Sequence, residues 1–561
     1  MLRSARPHRA LSSASPCTCK RSASHFPASL STSSAPPPPP LPSPYTQPST
    51  ASLSLHGDNP NWADPNYLSR YRDPSRHDLV PPSRSLPRRG LETSSRAQPA
   101  PPTTTETKQG DSGATGSGSG NGREGGRVRR NRLEMERMWS GGDFSPPIPL
   151  DSYRAQTTRP RHALLFPGSG SQYIGMGAFL KDDAAAKAVW DEAEEALAGF
   201  EEWRKSLGLH EMDGEVGELG RMLDATEQKR GKEPRLKDVV FEGPQNQLTR
   251  SSNAQPAILI TSLAFLRSLE RDRGVPVAST SSLILGHSSG EYSAAVAAGA
   301  LSLTDGVRLT RLHGLLTHYA LSLPSIGLSP DPHAAPSLRG QMSALVLNPG
   351  HSHAELTEVI RKIRSERSST LRGSEGTVEV ASFNSNTQVV LAGSRDGILR
   401  ASEVLRELEI ASRAADLPVS APFHCSFMKP AALGMHAALS SRSISLSTPS
   451  SPLVSGLDAS LITTPSSLVS NLVAQISLPV RWSTCLASLP AQHGIRRLVF
   501  LGPGQALANL ARRDAKMVKE AQRASGGAEG EAAEGETEVI SVATEKDMEQ
   551  LQERWEEEDG A

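Results

Sequence analysis

Three short, almost continuously apolar runs, residues 163–166, 282–285 and 497–501, are each closed by a glycine or by Pro-Gly. Runs of this length suit strands buried on both faces. Between them, residues 256–269 and 304–321 repeat their apolar positions at helical spacing. Strand alternating with helix predicts a parallel sheet wrapped by helices. A second rhythm interrupts the first from 342 to 412: a strand at 344–347, a helix at 354–365, strands at 378–383 and 388–392, a helix at 397–408 and an extended exit. That order fits a small ferredoxin-like insert. The expectation is an α/β chain whose large domain comes in two parts, 161–340 and 412–513, around an inserted subdomain at 341–411. Residues 514–561 turn acidic and rich in Gly and Ala, which predicts a largely flexible tail, with 539–542 and the stretch behind it as candidates for a last strand and helix.

The first 160 residues show neither rhythm. The chain has 43 prolines among 561 residues, and their crowding with serine before residue 105 leaves too little apolar surface to offset the entropy of ordering. An N-terminal disordered region is therefore expected. Residues 1–57 carry no acidic side chain, while Arg3, Arg6, Arg9, Lys20 and Arg21 sit among serines and small apolar residues. This reads as a mitochondrial presequence directed to the matrix, with a merely disordered basic tail as the alternative. Residues 58–160 continue as a disordered linker. Its glycine run, 113–126, follows no strand and precedes no apolar helix, so it is not a phosphate loop.

Composition narrows the function classes further. Sixty Lys plus Arg balance sixty Asp plus Glu, so the molecule has no net field to hold a polyanion, which argues against a nucleic-acid partner. The four cysteines, Cys17, Cys19, Cys425 and Cys485, form no disulfide framework, and Cys17/Cys19 lack a second pair of zinc ligands. No stretch approaches the ~20 apolar residues of a membrane span.

Gly286-His287-Ser288-Ser289-Gly290 directly follows the apolar run at 283–285 and precedes an Ala-rich helical pattern. This is a nucleophile elbow in its required context, which makes the large domain α/β-hydrolase-like: the glycines permit a sharp turn and Ser288 is raised at the mouth of a helix. The helix N-terminus favours the anion formed when an ester or thioester carbonyl is attacked. Serine needs an adjacent base. Among 15 histidines, His424 lies in a rigid segment, residues 417–430, that leads into a helix, whereas His287 flanks the serine and is expected to point away from it.

Seven signatures occur in one order: residues 166–172 (FPGSGSQ), Gln255-Pro256-Ala257, residues 286–292 (GHSSGEY), Asn384-Ser385, the His424 segment, residues 479–482 (PVRW) and Gly502-Pro503-Gly504. Together they resemble the malonyl-CoA:acyl-carrier-protein transacylases, of the mitochondrial type, over residues 161–513. The resemblance implies that Ser288 is the acylated nucleophile and His424 its base. It places Gln475 where a carbonyl orients the imidazole, a neutral amide standing in for the usual carboxylate. It implies main-chain oxyanion donors at Ser169 and Ser289, where the family commonly has Gln and Leu, and substrate-binding roles for Gln255 and Asn384. A helix-capping or solvated Gln255 is the competing reading.

One position departs from the family. The helix after the elbow normally offers an arginine to the malonyl carboxylate; by offset from Ser288 that place is held by His313, with Arg311 about 200° around the helix. Three readings stand: a local register shift lets Arg311 serve, His313 binds the carboxylate, or the acyl group carries none. His313 as a plain surface residue is a fourth. The implied activity is [acyl-carrier-protein] S-malonyltransferase, by ping-pong transfer from malonyl-CoA to acyl carrier protein in mitochondrial fatty acid synthesis. Coenzyme A is then a substrate, no cofactor or metal is needed, and the chain is expected to act as a monomer. The candidate dock for an acidic carrier protein is the basic surface near Lys429, Arg481 and Arg512. The competing functions are a serine acyl hydrolase or thioesterase on the same Ser288 and His424, an acyltransferase for a non-carboxylated group, and a binding scaffold without turnover.

Overall fold

A computed structural model describes residues 161–560 except 228–233, 332, 336, 337, 368–375 and 525–535. The presequence (1–57), the linker (58–160) and the Cys17/Cys19 pair lie outside the described residues. The three apolar runs form strands β1 (His162–Phe166), β2 (Leu283–Gly286) and β9 (Arg497–Leu501), with β1 at the centre. Along β1, Leu164 and Phe166 face one core while Ala163 and Leu165 face another. Both faces are covered, which is why these strands show no polar alternation.

Most of the first core comes from helices. In α1 (Ala184–Ala198), Ala186, Val189, Trp190 and Ala193 recur at three- and four-residue steps and are buried. Asp183 caps it by accepting the Ala186 N–H at 2.8 Å. After further helices at Phe200–Ser206, Gly214–Glu227, Leu236–Glu242 and Gln245–Leu248 come α2 (Ser251–Arg267), α3 (Gly290–Ala297) and α4 (Leu303–Ala320). Helix α2 starts five residues before the expected 256, so Pro256 lies inside it.

The insert comprises β3 (Gly340–Leu347), α5 (His353–Arg367), β4 (Val378–Phe383), β5 (Gln388–Ser394), α6 (Arg395–Glu407) and β6 (Ala411–Asp416). It is a four-stranded antiparallel sheet in the order β4-β5-β3-β6. Leu356, Ile360 and Ile363 of α5 and Ile398, Ala401 and Leu405 of α6 pack on its apolar positions. The expected boundaries 341–411 are corrected to 340–416, because the extended exit is a full strand paired to β3.

Beyond the insert come α7 (Lys429–Leu439), the two-residue strands β7 (Leu453–Val454) and β8 (Leu461–Ile462), α8 (Pro465–Ala474), α9 (Trp482–His493), α10 (Ala506–Ala524), β10 (Glu538–Val542) and α11 (Glu545–Gly560). The large sheet has the order β10-β9-β1-β2-β7-β8, parallel except for the β7–β8 pair. The chain therefore has a mixed α/β fold.

The end of the large domain at 513 and the flexible tail are corrected for the described residues 514–524 and 536–560, where the alternative of a last strand at 539–542 and a helix behind it holds. Helix α10 continues to Ala524, β10 adds to β9, and Met548, Leu551 and Trp555 of α11 enter the main core. Burying such side chains stabilises by about 1.5–3 kcal/mol each, enough to hold an otherwise acidic helix. Arg497 adds ion pairs to Glu538 and Glu558 at 2.8 and 2.7 Å. Among the described residues no helix is long and apolar enough to cross a membrane.

Candidate active site

Strands β1 and β2 run side by side with Phe166 opposite Gly286, so the loops leaving their carboxyl ends meet, where open α/β sheets bind ligands. Strand β2 stops at Gly286 and α3 starts at Gly290, so the chain must turn within three residues. Ser288 takes the strain, with φ 56°. A Cβ on Gly286 would sit 2.1 Å from the Gly290 carbonyl carbon, and one on Gly290 2.6 Å from the Pro167 carbonyl oxygen. Only glycine fits either place.

Ser288 Oγ lies 2.7 Å from His424 Nε2. His424 is itself left-handed, with φ 60°, and its main-chain N–H donates to Ile476 O at 3.2 Å. Its Nδ1 donates to the main-chain carbonyl of Gln475 at 2.7 Å. A carbonyl can only accept, so Nδ1 carries the proton and Nε2 faces the hydroxyl as an acceptor. Burial, opposed by the Gln475 carbonyl, holds the imidazole well below its ordinary range, at about 4. The ring is neutral at pH 7 and able to take a proton. The Gln475 amide is thus not the group that orients the ring: its Nε2 donates to Ser288 O at 3.2 Å. Gln475 caps the C-terminus of α8, where the last carbonyls have no intrahelical partner, and this leaves its main-chain oxygen for the imidazole.

The loop after β1 presses on the elbow, since a Cβ on Gly168 would lie 2.2 Å from His287 O. It brings Ser169 beside Ser289: the Ser169 N–H donates to Ser289 Oγ at 3.2 Å, and the two hydroxyl oxygens are 3.3 Å apart. To meet an oxyanion this N–H must first release the Ser289 hydroxyl. His287 Nε2 lies 3.0 Å from Asn384 Oδ1, and its ring packs edge-on against Trp482. Asn384, expected at the substrate, is engaged within the protein: Oδ1 also accepts from Ser382 Oγ at 2.5 Å and Nδ2 donates to Gln388 at 3.3 Å.

Helix α4 is continuous across Arg311 and His313, so the structure contains no register shift. Arg311 Nη1 donates to Ser252 O at 2.9 Å and to Asn253 Oδ1. Pro256 explains this contact: it has no N–H to give to the carbonyl four residues back, which is that of Ser252, and the guanidinium supplies the missing donor. The placing of Arg311 at the substrate is corrected accordingly.

His313 is only 4% exposed, which removes the surface reading. Neither of its ring nitrogens, nor Gln255 Oε1, nor the Tyr292 hydroxyl, has a hydrogen-bond partner among the described residues. Gln255 is 2% exposed, so it is not a solvated residue. The His313 ring lies 6.0 Å from that of Tyr292, and burial together with repulsion from His424 lowers its pKa to about 3.

One tie was not foreseen. Glu379 of β4 accepts from Ser426 N at 3.1 Å and from Ser426 Oγ, fastening the insert to the segment that carries His424. Its only sequence signal is a carboxylate on a strand, too common to interpret. Among the described residues no cluster of three or more His, Cys, Asp or Glu could hold a metal ion.

Comparison with known proteins places this geometry. The acyl transferase domain family matches residues 163–322. The malonyl CoA-acyl carrier protein transacylase of Bacillus subtilis strain 168 is 32% identical over 358 residues, covering 64% of this chain and 91% of that protein. That of Escherichia coli K12 is 30% identical over 352 residues, covering 63% and 92%. The crystal structure of an acyl-carrier-protein S-malonyltransferase from Bartonella henselae superposes with a TM-score of 0.53 at 29% identity, covering 71% of this chain and 99% of that one. The chain belongs to the malonyl CoA-acyl carrier protein transacylase family.

Proposed function

We propose that this chain is an [acyl-carrier-protein] S-malonyltransferase, moving a malonyl group from coenzyme A to the phosphopantetheine thiol of acyl carrier protein. The carrying observation is the 2.7 Å contact between Ser288 Oγ and a His424 imidazole whose other nitrogen is tied to a carbonyl. Ser288 attacks the thioester carbon while His424 Nε2 takes its proton. The carbonyl oxygen becomes an anion facing the main-chain N–H groups of Ser169 and Ser289, beside the N-terminus of α3. The C–S bond breaks, and the proton on Nε2 passes to the departing CoA sulfur. The carrier thiol then repeats the steps in reverse on the serine ester.

The six-stranded sheet with its elbow supports an α/β-hydrolase-like reading of the large domain. The βαββαβ order, with its first strand beside its last, supports a ferredoxin-like reading of the insert. The acid-free leader supports a place in the mitochondrial matrix and a role in fatty acid synthesis there. Lys429 and Arg512 are exposed and Arg481 is partly so, which leaves this basic surface as the dock for an acidic carrier.

His313 is the candidate for the acyl carboxylate. Its depressed pKa corresponds to about 5 kcal/mol against protonation. A carboxylate about 4 Å away returns about 4 kcal/mol at an effective dielectric of 20. The two nearly cancel, which returns the ring of the bound state to about 6, so malonyl binding should tighten as pH falls below about 6 toward the free value of about 3. The neutral ring also favours a second reading, a non-carboxylated acyl group, for which binding would show no such trend.

Rapid-quench kinetics with malonyl-CoA test the main reading. One acyl group per site should be retained and then discharged by a pantetheine thiol; rapid discharge by water would identify a thioesterase instead.

A further inference from the structure

Glu291 lies one turn beyond the nucleophile in α3, its N–H donating to Ser288 O at 3.0 Å. Asn471 lies one turn before the residue that orients the base, and its carbonyl accepts the Gln475 N–H at 3.0 Å. The two side chains meet in the interior, 5% and 2% exposed. Glu291 Oε2 accepts from Asn471 Nδ2 at 2.5 Å, while Oε1 accepts the Gly456 N–H at 3.0 Å. Asn471 Oδ1 in turn accepts from Ser455 Oγ at 2.7 Å.

We propose that Glu291 and Asn471 form a positioning clasp that sets the separation between Ser288 and the Gln475 carbonyl, and so holds the imidazole in line with its nucleophile. The proposal rests on Ser288 and His424 carrying the transfer. Its physical basis is the closed circuit Ser288–Glu291–Asn471–Gln475–His424–Ser288, in which two helix ends are tied at the site, through the His424 ring and the Gln475 Nε2–Ser288 O bond, and again, a turn deeper, through the clasp. Ties confined to the site, at the His424 ring and the adjoining Gln475 side chain, would leave α3 and α8 free to pivot about that point. The deeper tie removes that freedom.

A buried carboxyl is a costly tie, and burial pushes the Glu291 pKa up to about 8. The geometry nevertheless fits the ionised form, because each oxygen faces a donor, Asn471 Nδ2 or the Gly456 N–H, and a carboxyl proton on either would point at a donor instead of an acceptor. The main chain at Gly456 comes so close that a Cβ there would lie 2.6 Å from Oε1. Asp458, Tyr292 and Cys485 are the other titratable groups with which Glu291 interacts.

The clasp can be inverted without changing its shape. Glu291→Gln alone turns an amide N–H₂ toward a donor. Asn471→Asp alone sets two carboxyl groups face to face. In the double variant, the carboxylate at 471 accepts from the amide at 291 and from Ser455, while the amide oxygen at 291 accepts from Gly456, so every bond returns with the charge moved. The experiment measures the acylation rate constant with malonyl-CoA for both single variants, the double variant and Ser288→Ala, each corrected for folded fraction by thermal melting. The singles should acylate about 10- to 100-fold more slowly, with KM within about twofold of wild type. The acid limb of kcat/KM should move to lower pH as His424 loses its carbonyl partner, and the double variant should recover most of the rate. Wild-type acylation in either single variant overturns the clasp, as do losses that track melting temperature with an unmoved pH profile, or a double variant no better than the singles. An active Ser288→Ala overturns the reading of the whole site, whereas an inactive one beside a normal Glu291→Gln overturns the clasp alone.

Discussion

The reacting end of the site and its acyl end share helices but differ in how their polar atoms are satisfied. At the reacting end the Ser288 hydroxyl, both His424 nitrogens and the Gln475 carbonyl are joined in one chain of hydrogen bonds. At the proposed acyl end the His313 nitrogens, Gln255 Oε1 and the Tyr292 hydroxyl are buried without a partner among the described residues. An unpaired buried polar group costs about 1–3 kcal/mol unless a water or a ligand completes it. The Ser288–His424–Gln475 chain is therefore pre-organised by the protein alone, while the proposed acyl end keeps polar atoms that a ligand could complete. Arg311 sharpens the contrast: it is the charged side chain nearest in sequence to His313, yet the Pro256 carbonyl deficit claims it.

The largest expected effect breaks the organised end. Ser288→Ala and His424→Ala should each lower the acylation rate by about a thousandfold or more, measured by single-turnover kinetics. At the open end, His313→Leu should reduce the preference for malonyl-CoA over acetyl-CoA by about tenfold, read as the ratio of kcat/KM values, and leave acetyl transfer nearly unchanged. An unchanged ratio would remove His313 from the substrate. Arg311→Ala should do the opposite, costing about 1–3 kcal/mol in denaturant unfolding through the orphaned Ser252 carbonyl while preserving the ratio.

The smallest effect is on acid stability. His313 has a folded-state pKa of about 3 against an ordinary 6.5. Between those values the unfolded chain binds a proton that the folded one refuses, so stability is complete above 6.5 and falls as pH drops toward the folded value. Removing the ring in His313→Leu should relieve about 1.4 kcal/mol of that loss per pH unit, seen in unfolding free energies at pH 7 and 5.5. His424 and His353, both held at about 4, keep the remaining slope in the same direction.

What could be read in advance follows from which interactions leave a mark on residue order. The bend at Ser288 was legible because a buried strand, two glycines and a helix must follow one another within a few residues. The insert was legible because its strands and helices keep their periods. Strands β7 and β8, of two residues each, are too short to carry a period. Helix α11 hides Met548, Leu551 and Trp555 among acidic neighbours, so composition outweighed spacing. The acceptor on His424 is a main-chain carbonyl, and every residue type has one. Arg311 could not be assigned from its own helix, because the carbonyl it satisfies was freed by a proline 55 positions earlier. Glu291 stands inside a quoted motif, but nothing local points to Asn471, 180 residues on.

The most direct measurement is peptide mass spectrometry after brief exposure of the protein to malonyl-CoA. The account predicts an ester on the peptide containing Ser288, with the free carboxylate of malonate retained and lost on addition of a pantetheine thiol. An unmodified Ser288, or an acyl group found on another side chain, would contradict it.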